Sequence, residues 1–173
     1  NFRNPSSLDE DEELENFKKL SPDIVVVVAY GQIIPKFFLN IAKLGFINIH
    51  ASLLPKWRGA APIQRAIING DKKIGISIMK IEEKLDSGPV LVSKEFELDQ
   101  NATHGEIEKK LSLEGANLLI QSLKTIETGN LKFIDQDHSQ ATYAKKIDKN
   151  ESKINWNKDA NKVLAHIHGL SPS

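Results

Sequence analysis

Apolar positions change period several times along this chain, and each change marks a predicted element. Leu8, Leu14, Phe17 and Leu20 recur at helical spacing through an acidic stretch. They predict an amphipathic helix over 8–20 that Ser21-Pro22-Asp23 ends. Ile24–Ala29 is an unbroken apolar run rich in β-branched residues, the pattern of a mid-sheet strand buried on both faces. A short helix is predicted near Pro35–Lys43, then a strand over Phe46–His50, then a helix over Pro62–Ile68 with proline in its first turn. Ile74–Ile81 and Val90–Leu98 read as two strands joined by a turn. Residues 103–128 read as a long amphipathic helix, with Thr103 and Glu106 placed for a capping box.

The order α, β, α, β, α, β, β, α predicts an α/β domain with a mixed sheet and helices on both faces. The character changes after Gly129-Asn130. Asp135–Gln140 is polar and reads as a connector, Ala141–Ile147 as a further strand, and 158–168 as a short helix. The chain does not begin with Met, and its first strand is of a type that wants a neighbour on each side. A protein that continues in both directions is expected.

Composition narrows the classes. At 173 residues the chain can hold one domain, or one and part of another. Lys and Arg number 23 and Asp and Glu also 23, so no global basic field draws in nucleic acid. Cysteine is absent, which excludes disulfides and thiol catalysis. The longest apolar run is too short to span a bilayer and the polar, acidic N-terminus is unlike a signal peptide. No membrane association and a cytoplasmic location are expected.

Candidate chemistry centres on Asn48, His50 and Asp86. Asn48 and His50 lie two apart at the end of a predicted strand and so share a face, with Ile47 and Ile49 on the other. An amide, an imidazole and a carboxylate can polarise a carbonyl and move a proton. Singly, each has a structural reading: His50 as a satisfied polar residue, Asn48 as a local hydrogen-bonder, and Asp86 as part of the turn Leu85-Asp86-Ser87-Gly88-Pro89. The loop Ala51–Gln64 follows the strand, where ligands bind in α/β sheets, yet it carries no phosphate-binding glycine pattern. His166 and His168 do not share a helix face, and His104 and His138 read as solvated.

Asn48-x-His50 followed by Ser52-Leu53-Leu54-Pro55, with Asp86 in a Leu-Asp-Ser-Gly-Pro turn, resembles the formyltransferases that use 10-formyltetrahydrofolate. Ser52 through Gln64 is similar to the branch acting on methionyl-tRNA. The likeness extends from Val25–Gly31 through Tyr143–Lys146 to Ile154-Asn155-Trp156, and departs from the family pattern over His166–Ser173. It implies a Rossmann-like formyltransferase fold: a catalytic domain over 1–132 lacking its first part, a linker over 133–148, and over 149–173 the start of a small, truncated β-barrel domain.

The same resemblance implies transfer of a formyl group from 10-formyltetrahydrofolate to the amine of initiator methionyl-tRNA, by a monomer and without a metal. The tRNA would be held largely by segments outside this chain. Asn48 and His50 would donate to the oxyanion, and Asp86 would stabilise the imidazolium and relay the amine's proton. The pteridine slot would lie between Tyr30, Gly31, Gln32, Ile33 and Ile34 and the loop Ile81, Glu82, Glu83, Lys84 and Leu85, with Ser52, Leu53, Leu54 and Pro55 nearby. Trp57 and Arg58 would face the methionyl or tRNA side. The rivals are another folate-dependent formyltransferase, a formyl-folate hydrolase, a non-catalytic folate-binding or interaction module, and a nucleotide-binding α/β domain.

Overall fold

The structure, a computed structural model, describes residues 3–129 and 132–172. Asn130 of the predicted Gly129-Asn130 break and Ser173 of the final segment lie outside the described residues. In chain order the elements are α1 (Asp11–Leu20), β1 (Val25–Val27), α2 (Lys36–Leu39), β2 (Phe46–His50), β3 (Arg58–Gly59), α3 (Pro62–Asn69), β4 (Lys73–Lys80), β5 (Val90–Glu97), α4 (His104–Glu127), β6 (Tyr143–Ala144) and α5 (Ala160–Gly169).

The main sheet has the order β1-β2-β4-β5. β1 runs parallel to β2, while β4 is antiparallel to both β2 and β5. Period-2 alternation divides the sheet's side chains between two cores. Ile47 of β2 and Ile74, Ile76 and Ile78 of β4 bury against Ile63, Ala66 and Ile67 of α3 and Ile107, Leu111 and Leu118 of α4. On the other face Phe46 packs with Phe38 of α2 and Phe17 of α1. Each fully buried isoleucine stabilises the fold by ~1.5–3 kcal/mol relative to exposure, so the α3–α4 face is the main anchor. The mixed sheet with helices on both faces is as the apolar pattern predicts.

The N-terminus of α4 carries the predicted capping box. The Glu106 amide donates to Thr103 Oγ1 (3.4 Å), and the Thr103 amide donates to Glu106 Oε2 (2.8 Å).

Three elements differ from expectation. The Ile24–Ala29 run shortens to the three residues of β1. Among the described residues only β2 flanks it, leaving Val26 and Val28 37% and 56% exposed. A β-branched run reports residue type, and burial depends on neighbours the run does not encode. The helix predicted over Pro35–Lys43 is the single turn of α2. The strand predicted over Ala141–Ile147 is the two-residue β6, because its parallel partner β3 is equally short.

The segment after β6 lies on α3. The Arg65 guanidinium donates to the carbonyls of Lys145 (3.0 Å) and Lys146 (3.2 Å) and grips both carboxylate oxygens of Glu151 at 2.6 and 2.9 Å. His166 Nε2 donates to the Glu151 carbonyl at 2.6 Å, and Gly169 of α5 packs against Ile68 and the Gln64 carbonyl.

The Arg65 hydrogen bonds, helped by the Asp148 amide, lower the Glu151 pKa from its ordinary 4.5 to about 2. A depressed carboxylate pKa contributes stability that is complete above the unfolded value and fades as pH falls toward the folded one. Wild-type stability is expected to decline between about pH 5 and pH 2 with a component that Glu151→Gln removes. Denaturant unfolding of both proteins across that range measures it, and equal slopes would rule the component out.

Candidate functional site

β2 sits between β1 and β4 and carries Asn48 and His50 on the face shared with Phe46. Ile47 and Ile49 point into the main core, so register alone holds the two polar side chains out of it. His50 is buried, 5% exposed. Its Nε2 lies 2.8 Å from the Trp57 carbonyl. A carbonyl only accepts, so Nε2 carries the proton and donates. Nδ1 on the opposite side of the ring lies 3.7 Å from Asp86 Oδ2. The Asn48 carboxamide is half-buried and has no hydrogen-bond partner among the described residues. The three predicted catalytic positions therefore split two ways. His50 and Asp86 meet directly, and Asn48 shares their sheet face with its donors unspent.

Two loops bring this about. After His50 the chain folds back over β4. Ser52 is buried and its hydroxyl donates to the Lys56 carbonyl; the Ser77 hydroxyl donates to the Ser52 carbonyl (2.8 Å) and accepts from the Leu54 amide (3.2 Å). Leu53 packs against Gly75 of β4. This brace aims the Trp57 carbonyl at His50.

Gly59 then donates its amide to Asp86 Oδ2 at 2.8 Å. Gly59 has φ +116, and a Cβ there would stand 2.8 Å from the Ala144 carbonyl oxygen, so no other residue fits. Trp57 and Asp86 adopt φ +60 and +46 without being glycine, and Ala29 at the end of β1 adopts +47. Such left-handed conformations cost ~1–3 kcal/mol each and concentrate at functional sites.

Trp57 and Arg58 are both held by hydrogen bonds within the protein, and Arg58 also lines a cleft. The Trp57 indole packs on the main core and its Nε1 donates to Asp71 Oδ2 at 2.7 Å. Arg58 is 4% exposed. Its guanidinium donates to Gln136 Oε1 from Nε (3.2 Å) and Nη2 (2.7 Å), and to His138 Nδ1 (2.9 Å). Both side chains are large and half apolar, and burying their stems outweighs the exposure that loop position suggests. His138 is exposed as expected, yet bonded.

Gln136, read from sequence only as part of a polar connector, is buried. Its Nε2 donates to the carbonyls of Asp86 (2.9 Å) and Gly88 (2.7 Å). No local sequence signal separates it from the solvated Asp135 and Asp137 on either side.

Beside these residues lies a cleft of ≈ 1130 Å³. Ile81, Glu82, Glu83, Lys84 and Leu85 line it. Lys36 and Leu39 of α2, Lys43 in the turn after it, and Arg58 also line it. Tyr30, Gly31, Gln32 and Ile33 are exposed beyond β1, and Ile34 packs into the smaller core. Ser52, Leu53 and Leu54 lie against β4, the Pro55 carbonyl accepts from the Thr142 amide, and none of the four lines the cleft. Lys36 pairs with Glu83 (2.5 Å), and Lys43, Lys80 and Lys84 outweigh the remaining Glu82, giving its rim a cationic bias. Among the described residues no three His, Asp or Glu side chains gather as a metal-ligand set, and no helix is long and apolar enough to cross a membrane.

Comparison with known proteins gives the chain's relatives. Solved structures share the fold at low identity. A sugar N-formyltransferase from a Shewanella species aligns with TM-score 0.81 at 23% identity, covering 95% of this chain and 66% of that one. HypX from Aquifex aeolicus, solved with tetrahydrofolic acid, aligns with TM-score 0.76 at 19% identity, covering 91% and 27%. Curated sequences are nearer. A methionyl-tRNA formyltransferase from Pelagibacter ubique is 53% identical over 162 residues, 94% of this chain and 52% of the relative. One from Coxiella burnetii is 46% identical over 169 residues, 98% and 54%. The chain thus spans about half the length of the curated relatives it matches. Residues 1–123 match the family described as formyl transferase, and with that match over most of its length the chain belongs to the formyl transferase family.

Proposed function

We propose that the protein carrying this sequence transfers the formyl group of 10-formyltetrahydrofolate to the amine of methionyl-tRNA. The observation that carries the reading is the meeting of the His50 ring and the Asp86 carboxylate at 3.7 Å, on the sheet face that holds the unpartnered Asn48 amide. The acceptor is inferred from relatives called methionyl-tRNA formyltransferases at 44–53% identity. A cleft with a cationic rim suits a donor whose tail carries carboxylates.

In the proposed reaction the acceptor amine attacks the formyl carbon. A C–N bond forms and the carbonyl electron pair moves onto oxygen. Asn48, its N–H groups unspent, donates to that oxyanion. Asp86 Oδ2 is held by Gly59 while Oδ1 has no partner among the described residues, so the carboxylate can accept the amine's proton directly or through one water. His50 spends its Nε2 proton on Trp57 and turns Nδ1 toward Asp86. Nδ1 and the carboxylate are both acceptors as they stand, so the 3.7 Å contact closes to a hydrogen bond only when a proton sits between them; the proton that Asp86 takes from the amine supplies it. The intermediate collapses with cleavage of the bond between the formyl carbon and folate nitrogen, and the proton passes to that nitrogen. The sequence carries no net charge and so supplies no global field for tRNA, which suits a grip made largely by residues outside it.

Asn48→Asp keeps shape but replaces a donor with an acceptor. In the full-length protein kcat is expected to fall by roughly 10²–10³ while binding of the formyl donor persists. Steady-state kinetics with titration of the donor checks this, and unchanged turnover removes Asn48 from the mechanism.

Asp86→Asn should lower kcat by roughly 10²–10⁴ with little change in melting temperature. A large melting loss would make Asp86 structural. Offering the same enzyme a nucleotide-linked amino sugar beside methionyl-tRNA identifies the acceptor; formylation of the sugar alone would overturn the tRNA assignment.

A further inference from the structure

We propose that Gln136 is a positioning residue that sets Asp86 against His50, and that the 134–144 segment is part of the reaction site instead of a passive connector. The Gln136 carboxamide is fully committed. Both amide hydrogens go to carbonyls of the Asp86 turn, those of Asp86 and Gly88, and its oxygen takes two donors from Arg58. Arg58 is itself fixed: β3 pairs with β6, and its backbone amide donates to the Thr142 carbonyl at 2.9 Å. One side chain therefore ties the loop that carries the Gly59 amide to the turn that carries Asp86.

The turn needs such a tie. Asp86 is held left-handed at φ +46, and both its ends are pinned by other segments, its carboxylate by Gly59 and its carbonyl by Gln136. Relaxing the backbone would require breaking the Gln136 bond. The approach of the segment is set just before Gln136, where Ile134 and Val90 exchange backbone hydrogen bonds at 2.8 and 2.9 Å. Arg58 finds only neutral acceptors, Gln136 Oε1 and His138 Nδ1. A glutamate at 136 would satisfy Arg58 better as an ion pair, but it would donate nothing to the two turn carbonyls. Glutamine is thus required by the turn and not by the arginine.

That distinction separates positioning from stability. The catalytic part of the inference rests on the formyl-transfer reading; the positional part does not. In the full-length protein, Gln136→Glu and Gln136→Leu are measured for residue-resolved amide exchange and for turnover. Gly59 amide exchange is expected to speed up by about tenfold or more, with the Ile47 and Ile78 amides unchanged. kcat is expected to fall by about 10–100-fold with KM for the donor within about twofold. Gln136→Glu should keep its melting temperature through the Arg58 pair. Unchanged Gly59 exchange, or a rise shared equally by the core amides, would overturn the positioning role. Faster Gly59 exchange with full turnover would uphold the positioning and overturn the catalytic role of Asp86.

Discussion

The structure depends on one docking event on the polar face of the sheet: the Asp86 turn closing onto the loop that follows β2. Asp86 Oδ2 accepts from the Gly59 amide, and both residues sit at positive φ. Trp57 adds a third left-handed backbone nearby. These conformations are costly, at ~1–3 kcal/mol for each non-glycine residue, and they persist because independent contacts over-determine them. The Trp57 ring is committed to the core and to Asp71, its amide donates to Thr142 Oγ1, and Gln136 holds the far side of the turn. Without that closure Asp86 would not reach His50 at the end of β2, and the two would share no chemistry.

β2 explains why the site forms here. Its five residues serve two cores at once, Ile47 and Ile49 one and Phe46 the other. The face that holds Phe46 is filled only at its N-terminal end. Asn48 and His50 extend that face toward the loop end of the strand, where apolar packing gives way to loop backbone. A buried imidazole there is tolerable because its N–H, on Nε2, donates to a carbonyl, so no ring donor is left unpaired. The chemistry proposed for the family fold thus grows from an ordinary packing boundary.

What could be read in the sequence was whatever depends on period and local turn chemistry. The β2, β4 and β5 strands, the α3 and α4 helices, the Thr103 capping box and the shared face of Asn48 and His50 all follow from neighbours in the chain. What could not be read depends on distant partners. The β1 run is compatible with burial on two faces, yet here it has one flanking strand among the described residues. Trp57 and Arg58 look like surface-loop residues until Asp71 and Gln136 take up their donors. Gln136 carries no pattern at all, because a glutamine among aspartates looks solvated whether or not an arginine waits beneath it. Which segments line a cleft with Ile81–Leu85 also depends on distant packing: Lys36 and Leu39 of α2 do, and Tyr30–Ile34 do not.

The central claim is that His50 and Asp86 act as one unit. The most direct measurement is a double-mutant cycle on turnover, with His50→Ala, Asp86→Ala and the combined variant assayed in the full-length enzyme with formyl donor and methionyl-tRNA. Groups acting as a unit are grossly non-additive, so the combined variant is predicted to be scarcely slower than the slower single one. Losses that simply multiply would mean the two side chains work independently, and would contradict the account.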